Sequence, residues 1–310
     1  MKKKIVFLLL LIFTIYILCV PKDAVAAAGA GLVLWYERVL PALLPFAILS
    51  NLFIYSNYLH VLTRWIAPVL KRLFFVSESG AFVLFSGFLF GFPMGSKNCA
   101  ELLHCGQIAK EEADVLFIIT NNISPVFISS FIFYEQLKMP SLILPALLIL
   151  YLPPLILGAF LLRKNKTRSG GQEMIQKKPA SGSQMNFKII DAGIMNGFET
   201  LARLGGYIML FSMIVSILNK LPIPDAAILV LTGITEITNG ISQLSGSPAD
   251  PAFKFLLAVG FTAFGGLSGI AQTSSMVKGT GLSMRKYCLV KSALTAITLC
   301  FAWIFVQTCF

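Results

Sequence analysis

Long apolar runs constrain this chain more than any other feature. Stretches of the length that crosses a bilayer, about 18 residues or more of mainly apolar character, lie at roughly 39–57, 113–134, 140–162, 197–219, 252–276 and 287–307. In hydrocarbon every backbone N–H and C=O must find a partner within the protein, and a helix provides that within a single segment. The chain therefore reads as an all-α, polytopic integral membrane protein with the lipid bilayer as its first partner.

Charge follows from that reading. The formal net charge of +11 would raise the question of nucleic acid in a soluble protein. Here Lys and Arg cluster beside the apolar runs, where they orient the segments by the positive-inside bias, and no nucleic acid is expected. The six cysteines show no C-x-x-C spacing, and only His60 and His104 are present. No metal centre or catalytic triad can be drawn from this set, and no G-x-x-x-x-G-K-[ST] loop occurs. The chain is expected not to be an enzyme, with no catalytic residue, no metal and no cofactor beyond a coupling H+ or Na+.

The order of segments gives a domain plan. Lys2 to Lys4, the apolar run 5–20 and Ala24-Val25-Ala26 fit a secretory signal or an uncleaved first helix; we take residues 1–28 as a signal-anchor, which leaves the next residues outside. Residues 29–162 form a first membrane repeat. Within it 32–58 crosses inward, an interfacial amphipathic helix follows around Arg64, Lys71 and Arg72, 81–97 enters and returns as a re-entrant hairpin, 113–134 goes out and 140–162 comes back. Residues 163–188, rich in Gly, Ser, Gln and basic residues, form a flexible cytoplasmic linker. Residues 189–310 repeat the plan: a span at 197–219, a broken segment at 226–245, a span with an internal polar break at 253–276, and a last helix at 287–306. Lys278, Arg285, Lys286 and Lys291 follow the span at 253–276 and place its end on the cytoplasmic side. The first half starts outside and the second inside, so the two are inverted repeats.

The breaks carry the functional signal. Gly87, Gly91, Pro93 and Gly95 interrupt one apolar run and Asn121, Asn122, Ser124 and Pro125 the next; Gly233, Glu236, Asn239 and Gly240, then Gly265, Gly266 and Gly269, do so in the second half. Broken membrane segments are tolerated where they line a cavity, and paired breaks in inverted halves are a mark of transporters that bind near the midplane. Glu236, flanked by Thr235, Thr238 and Asn239, is costly in an apolar run unless hydrated, paired or protonated; it could bind a coupling cation, a proton or a polar solute, or simply tie two helices. Asn121, Asn122 and Ser124 offer donors and acceptors to a polar solute, as do Ser268 and Gln272 with Thr273, or they serve interhelical bonding. Lys97 could attract an anion at a helix N-terminus or act as a positive-inside anchor.

The residues GFPMGSKNCAELLHCGQIAKEEADVL, NNISPVFI, GITEITNG and GFTAFGGLSGIAQT, in that order, resemble the YlbJ (SpoVV) family of sporulation integral membrane proteins, within the nucleoside-recognition or Gate group. The resemblance runs from about Trp35 to the C-terminus. It implies likeness to parts of concentrative nucleoside and ferrous-iron transporters, and a link to dipicolinic acid passing from mother cell to forespore. Lys97 and the amides near Asn121 and Gln272 would suit that planar dianion. This chain is shorter than the family leads one to expect, which leaves room for a paralogue with another cargo. The resulting expectation is a transporter of a small polar or anionic solute, with dipicolinate the named cargo, in the cell or forespore membrane of a spore-forming bacterium. A nucleoside-like cargo and a non-transporting scaffold are the alternatives.

Overall fold

The computed structural model describes residues 2–56, 58–168 and 186–309, and all regular structure among them is helical. Helix α1 (Lys2–Cys19) is followed by α2 (Pro21–Leu34), and the axis turns by 109° between them. Pro21 has no N–H to satisfy and a φ already set for a first helical turn, so it starts α2 well and continues α1 badly. Through a π-helical turn (Trp35–Val39), α2 runs on into α3 (Leu40–Tyr55). Pro41 cannot donate to Glu37, and the Leu40 N–H bonds one residue further back, to the Trp35 carbonyl; the wide turn accommodates the missing donor.

Short helices α4 (Leu59–Thr63) and α5 (Ala67–Phe74) come next, and α5 carries the amphipathic pattern expected there. Then α6 (Glu78–Phe90) and α7 (Met94–His104) fold back on each other as a hairpin. Asn98 donates to Ser86 Oγ across it at 2.9 Å. α8 (Lys110–Ile119) stops at residues 120–124 and resumes as α9 (Pro125–Phe127) and a π-helical segment (Ile128–Gln136). The long α10 (Ile143–Arg168) closes the first half. Most of the linker expected at 163–188, namely 169–185, lies outside the described residues.

The second half has the same order. α11 (Phe187–Leu218) leads to a second hairpin of α12 (Asp225–Thr235) and α13 (Ile237–Gly246), a broken helix of α14 (Pro251–Phe264) and α15 (Gly266–Met276), and the long α16 (Met284–Cys309). Hairpin, broken helix and long helix thus occur twice. By length and composition, four helices among the described residues can cross a membrane, or six if each bent pair counts as one span.

The segment 1–28, taken as a signal-anchor, bends after Cys19, and α2 with α3 lies along α11. Small residues permit this approach: a Cβ on Gly31 would sit 2.9 Å from Met209 Cα, and Gly205 faces the ring of Trp35, whose indole N–H donates to the Leu201 carbonyl at 2.8 Å. The run 113–134 is interrupted at 120–124, where its polar residues placed the break.

Burial follows the membrane reading. On α10, Leu144, Leu148, Leu152, Ile156 and Phe160 recur every fourth residue and are all exposed, while Ala146, Leu150 and Leu162 are buried. A stripe of that size suits lipid and not water.

Candidate functional site

Each hairpin tip meets the break of the broken helix in its own half. At tip 1, Gly91 has φ 75° and ψ −166°, a region in which L side chains are strained, and the Phe92–Pro93 bond is cis. The Phe92 N–H donates to the Asn122 carbonyl at 2.6 Å. Gly87 and Gly95 let the hairpin settle on Thr120; a Cβ on Gly87 would lie 2.8 Å from the Thr120 carbonyl oxygen. At tip 2, residues Thr235, Glu236 and Ile237 pack on Gly266, whose Cβ would sit 3.3 Å from the Thr235 carbonyl oxygen and 3.4 Å from the Ile237 nitrogen. Gly265 and Gly266 both take positive φ, 78° and 73°, which suits the break to glycine. The halves also touch: the Phe92 ring lies over Gly269, with a Cβ there 3.3 Å away.

The first break is held by donors from three elements. The Asn122 carbonyl takes the Phe92 N–H, the Ile123 carbonyl takes the Tyr151 hydroxyl of α10 at 2.5 Å, and the Asn121 carbonyl takes the Lys291 ammonium of α16 at 3.1 Å. Lys291 also donates to Asn122 Oδ1 at 3.0 Å, and Asn122 Nδ2 donates to the Ile119 carbonyl at 2.6 Å, which turns that oxygen toward the lysine. Asn121 Nδ2 donates to Thr273 Oγ1 at 2.7 Å and to the Tyr287 hydroxyl at 2.8 Å, while its Oδ1 is buried with no partner among the described residues. The amide of Asn121 therefore joins the first break to the second half.

The expected site residues divide accordingly. Asn121 and Asn122 sit in this cross-half cluster. Ser124 caps α9, its Oγ accepting the Phe127 N–H at 3.2 Å. Ser268 and Gln272 are buried and bonded to each other at 2.9 Å, on the helix that carries Thr273. Thr235, Glu236 and Asn239 form tip 2. Glu236 ends α12 and caps α13; its Oε2 accepts the Asn239 N–H at 2.8 Å, Asn239 Nδ2 at 2.9 Å and the Thr238 hydroxyl. Its Oε1 has no hydrogen bond among the described residues. Lys97 stands apart. It is buried, and its ammonium donates to Asn51 Oδ1 on α3, whose Nδ2 donates to the Gly193 carbonyl of α11 at 2.9 Å.

Sequence reasoning missed two residues of this cluster. Lys291 was expected in a cytoplasmic, charge-orienting stretch; it is 3% exposed, about two turns inside α16. Tyr287 was not singled out and is also buried. The signal was present, because Tyr287 and Lys291 are four apart and share a helix face.

Between these groups the space is narrow. One crevice is lined by Phe92, Asn121, Phe264, Gly269, Tyr287 and Lys291, and its neighbour lies on the other side of Lys291, against Asn122, Tyr151 and Thr262. Each holds little more than a water molecule. The tips are closed on the breaks.

Comparison with known proteins bears on this geometry. The Gate family, described as nucleoside recognition, matches residues 37–137, which include the first hairpin and first break. The sporulation integral membrane protein YlbJ of Bacillus subtilis (strain 168) is 26% identical over 319 residues, covering 91% of this chain and 77% of that protein. The resemblance to YlbJ holds. With it holds the reading of a multi-pass, all-α integral membrane protein carrying a Gate segment. No solved structure matches.

Proposed function

We propose that the chain is a transporter for a small polar or anionic solute, which binds between the two tips and the two breaks. The seating of each tip on the break of its own half, with the Phe92 ring of tip 1 over Gly269 of the second half, carries this reading. Unwound backbone at membrane depth is costly unless it lines a path or a site, and here it occurs four times, in two tip-and-break pairs. The groups at the first break bind without covalent chemistry: the unpartnered Oδ1 of Asn121, the Tyr287 hydroxyl and the Lys291 ammonium. No carboxylate lies within 4 Å of Lys291 or Lys97 among the described residues. The buried Lys291 ammonium at the first break, with no described carboxylate within 4 Å, favours an anion as cargo.

Dipicolinate is the cargo we infer, since a planar dicarboxylate answers that charge excess and the YlbJ of Bacillus subtilis is a sporulation protein by name. A nucleoside-like solute is the second candidate, favoured by the description of the Gate family. Binding would require a tip to lift from its break, breaking the Phe92 to Asn122 bond; alternation between tips would give access from each side in turn.

The test is uptake of radiolabelled dipicolinate, with labelled uridine as comparison, into vesicles that contain the purified full chain. Saturable dipicolinate uptake, absent from empty vesicles, is the expected result. Uptake of neither solute, together with normal dipicolinate content in spores of a deletion strain, overturns the reading.

A further inference from the structure

Lys291 has surroundings that transport of an anion does not by itself explain. Its ammonium is bound by two neutral oxygens, the Asn121 carbonyl at 3.1 Å and Asn122 Oδ1 at 3.0 Å. Both lie at the uncoiled end of α8, where the last carbonyls lack helical donors and the helix macrodipole is negative. Of the three consecutive carbonyls at 121–123, those of Asn122 and Ile123 take neutral donors, the Phe92 N–H and the Tyr151 hydroxyl. Only the Asn121 carbonyl takes a cation. Uncoiled carbonyls at the end of a half-helix are the groups with which broken-helix transporters coordinate a coupling cation. The arrangement at α8 is that of a cation seat with a tethered cation in it.

Its neighbours are arranged to keep the seat. Asn122 is turned by its own bond to the Ile119 carbonyl, and Asn121 is fixed by Thr273 and by Tyr287, one turn before Lys291 on the same helix. Lys97 provides the contrast. It is equally buried, but its acceptor is a side-chain oxygen on α3, away from either break.

We propose that the Lys291 ammonium fills, as a built-in cation, the seat on broken helix α8 that a sodium ion would otherwise take, so that the first break needs no sodium. What this means for function, sodium-independent uptake, rests on the transport reading above; occupancy of the seat does not.

The experiment measures the thermal unfolding midpoint of the purified full chain in sodium chloride and in choline chloride at equal ionic strength. Wild type, Lys291→Ala, Lys291→Met and Lys97→Ala are compared. The wild type should melt at the same temperature in both salts. Lys291→Ala and Lys291→Met should melt lower in choline, and sodium should restore part of the loss, on the order of 2–4 °C. Lys97→Ala should fall without sodium rescue. A sodium-specific rise in the wild type overturns the proposal, and this arm stands even where neither Lys291 variant accumulates. Indifference of both Lys291 variants to sodium overturns it as well. Uptake into vesicles is measured beside it: equal wild-type uptake in the two salts is expected, and sodium-dependent wild-type uptake refutes the proposal. If no uptake occurs in either salt, transport is the claim that fails, and the melting data still decide the seat.

Discussion

Gly91→Ala tests the contact between tip 1 and the first break. Two separate penalties meet at this residue. Its φ of 75° with ψ of −166° is a conformation essentially reserved for glycine, and forcing a side chain into it costs about 1–3 kcal/mol. The added Cβ would also lie 2.9 Å from both the Asn122 carbonyl oxygen and the Ser124 Cα, backbone atoms that cannot rotate away. Overpacking of that kind costs a further 1–3 kcal/mol or so. Gly106→Ala separates the two. Gly106 also has positive φ, 67°, but nothing lies within 4 Å of its Cβ, so only the left-handed backbone cost of about 1–2 kcal/mol applies. At roughly 2 °C per kcal/mol for a chain of this size, Gly91→Ala should lower the unfolding midpoint by about 4–12 °C and Gly106→Ala by about 2–4 °C. Because the clash pushes Phe92 off Asn122, Gly91→Ala should also reduce uptake, which Gly106→Ala should leave intact. Equal midpoints for the two variants, with uptake unchanged in both, would refute the idea that tip 1 is seated on the break.

Further expectations follow from the same contacts. Glu236→Gln preserves shape but removes the charge at tip 2, and uptake should fall at least about tenfold at unchanged membrane abundance; unchanged uptake would remove Glu236 from the site. Asn51→Ala strips the acceptor from buried Lys97 and the donor from the Gly193 carbonyl, costing about 2–5 kcal/mol. Asn51→Asp restores an acceptor for the lysine, so its melting midpoint should lie between those of Asn51→Ala and wild type. Arg38 and Glu135 pair at 2.8 Å with side chains 52% and 36% exposed, so Arg38→Ala should cost under about 1 kcal/mol, with no measurable effect at high salt.

The sequence revealed the breaks better than the partners they meet. Gly and Pro in an apolar run report a local backbone event, which is why Gly91–Pro93, Asn121–Ser124, Glu236 and Gly265 were legible as interruptions and why the hairpin at 81–97 was expected. What each break touches is decided by residues from about thirty positions away, as with Phe92 and Asn122, to more than a hundred, as with Asn121 and Tyr287, and a single sequence carries no such pairing. Lys291 was hidden by its own type. A lysine near an apolar run normally marks the membrane edge, and only its burial on one face with Tyr287 reveals the other use. The packing of 21–34 was not legible either: Ala24-Val25-Ala26 fits a signal segment as well as a helix, and only the structure shows that Gly31 lets α2 lie against α11.

Four charged residues are buried among the described ones, Lys97, Glu112, Glu236 and Lys291, and none has an oppositely charged group within 4 Å. Each is bound instead by neutral groups: Glu112 by the Ser77 N–H ahead of α6 at 2.7 Å, Glu236 by the start of α13, Lys291 by the end of α8, and Lys97 by Asn51. Mutual ion pairs would be the cheaper way to keep charges in a nonpolar interior, and they would also lock the helices that carry them. Charges held by helix ends remain free to exchange a neutral partner for a charged one when a tip lifts. Two of the four, Glu236 and Lys291, are of opposite sign and lie at a tip in one case and a break in the other. A carboxylate solute arriving at the breaks would find its counter-charge on α16 and its competitor on tip 2. Repulsion between that solute and Glu236 gives a physical reason for tip 2 to move once the cargo is bound.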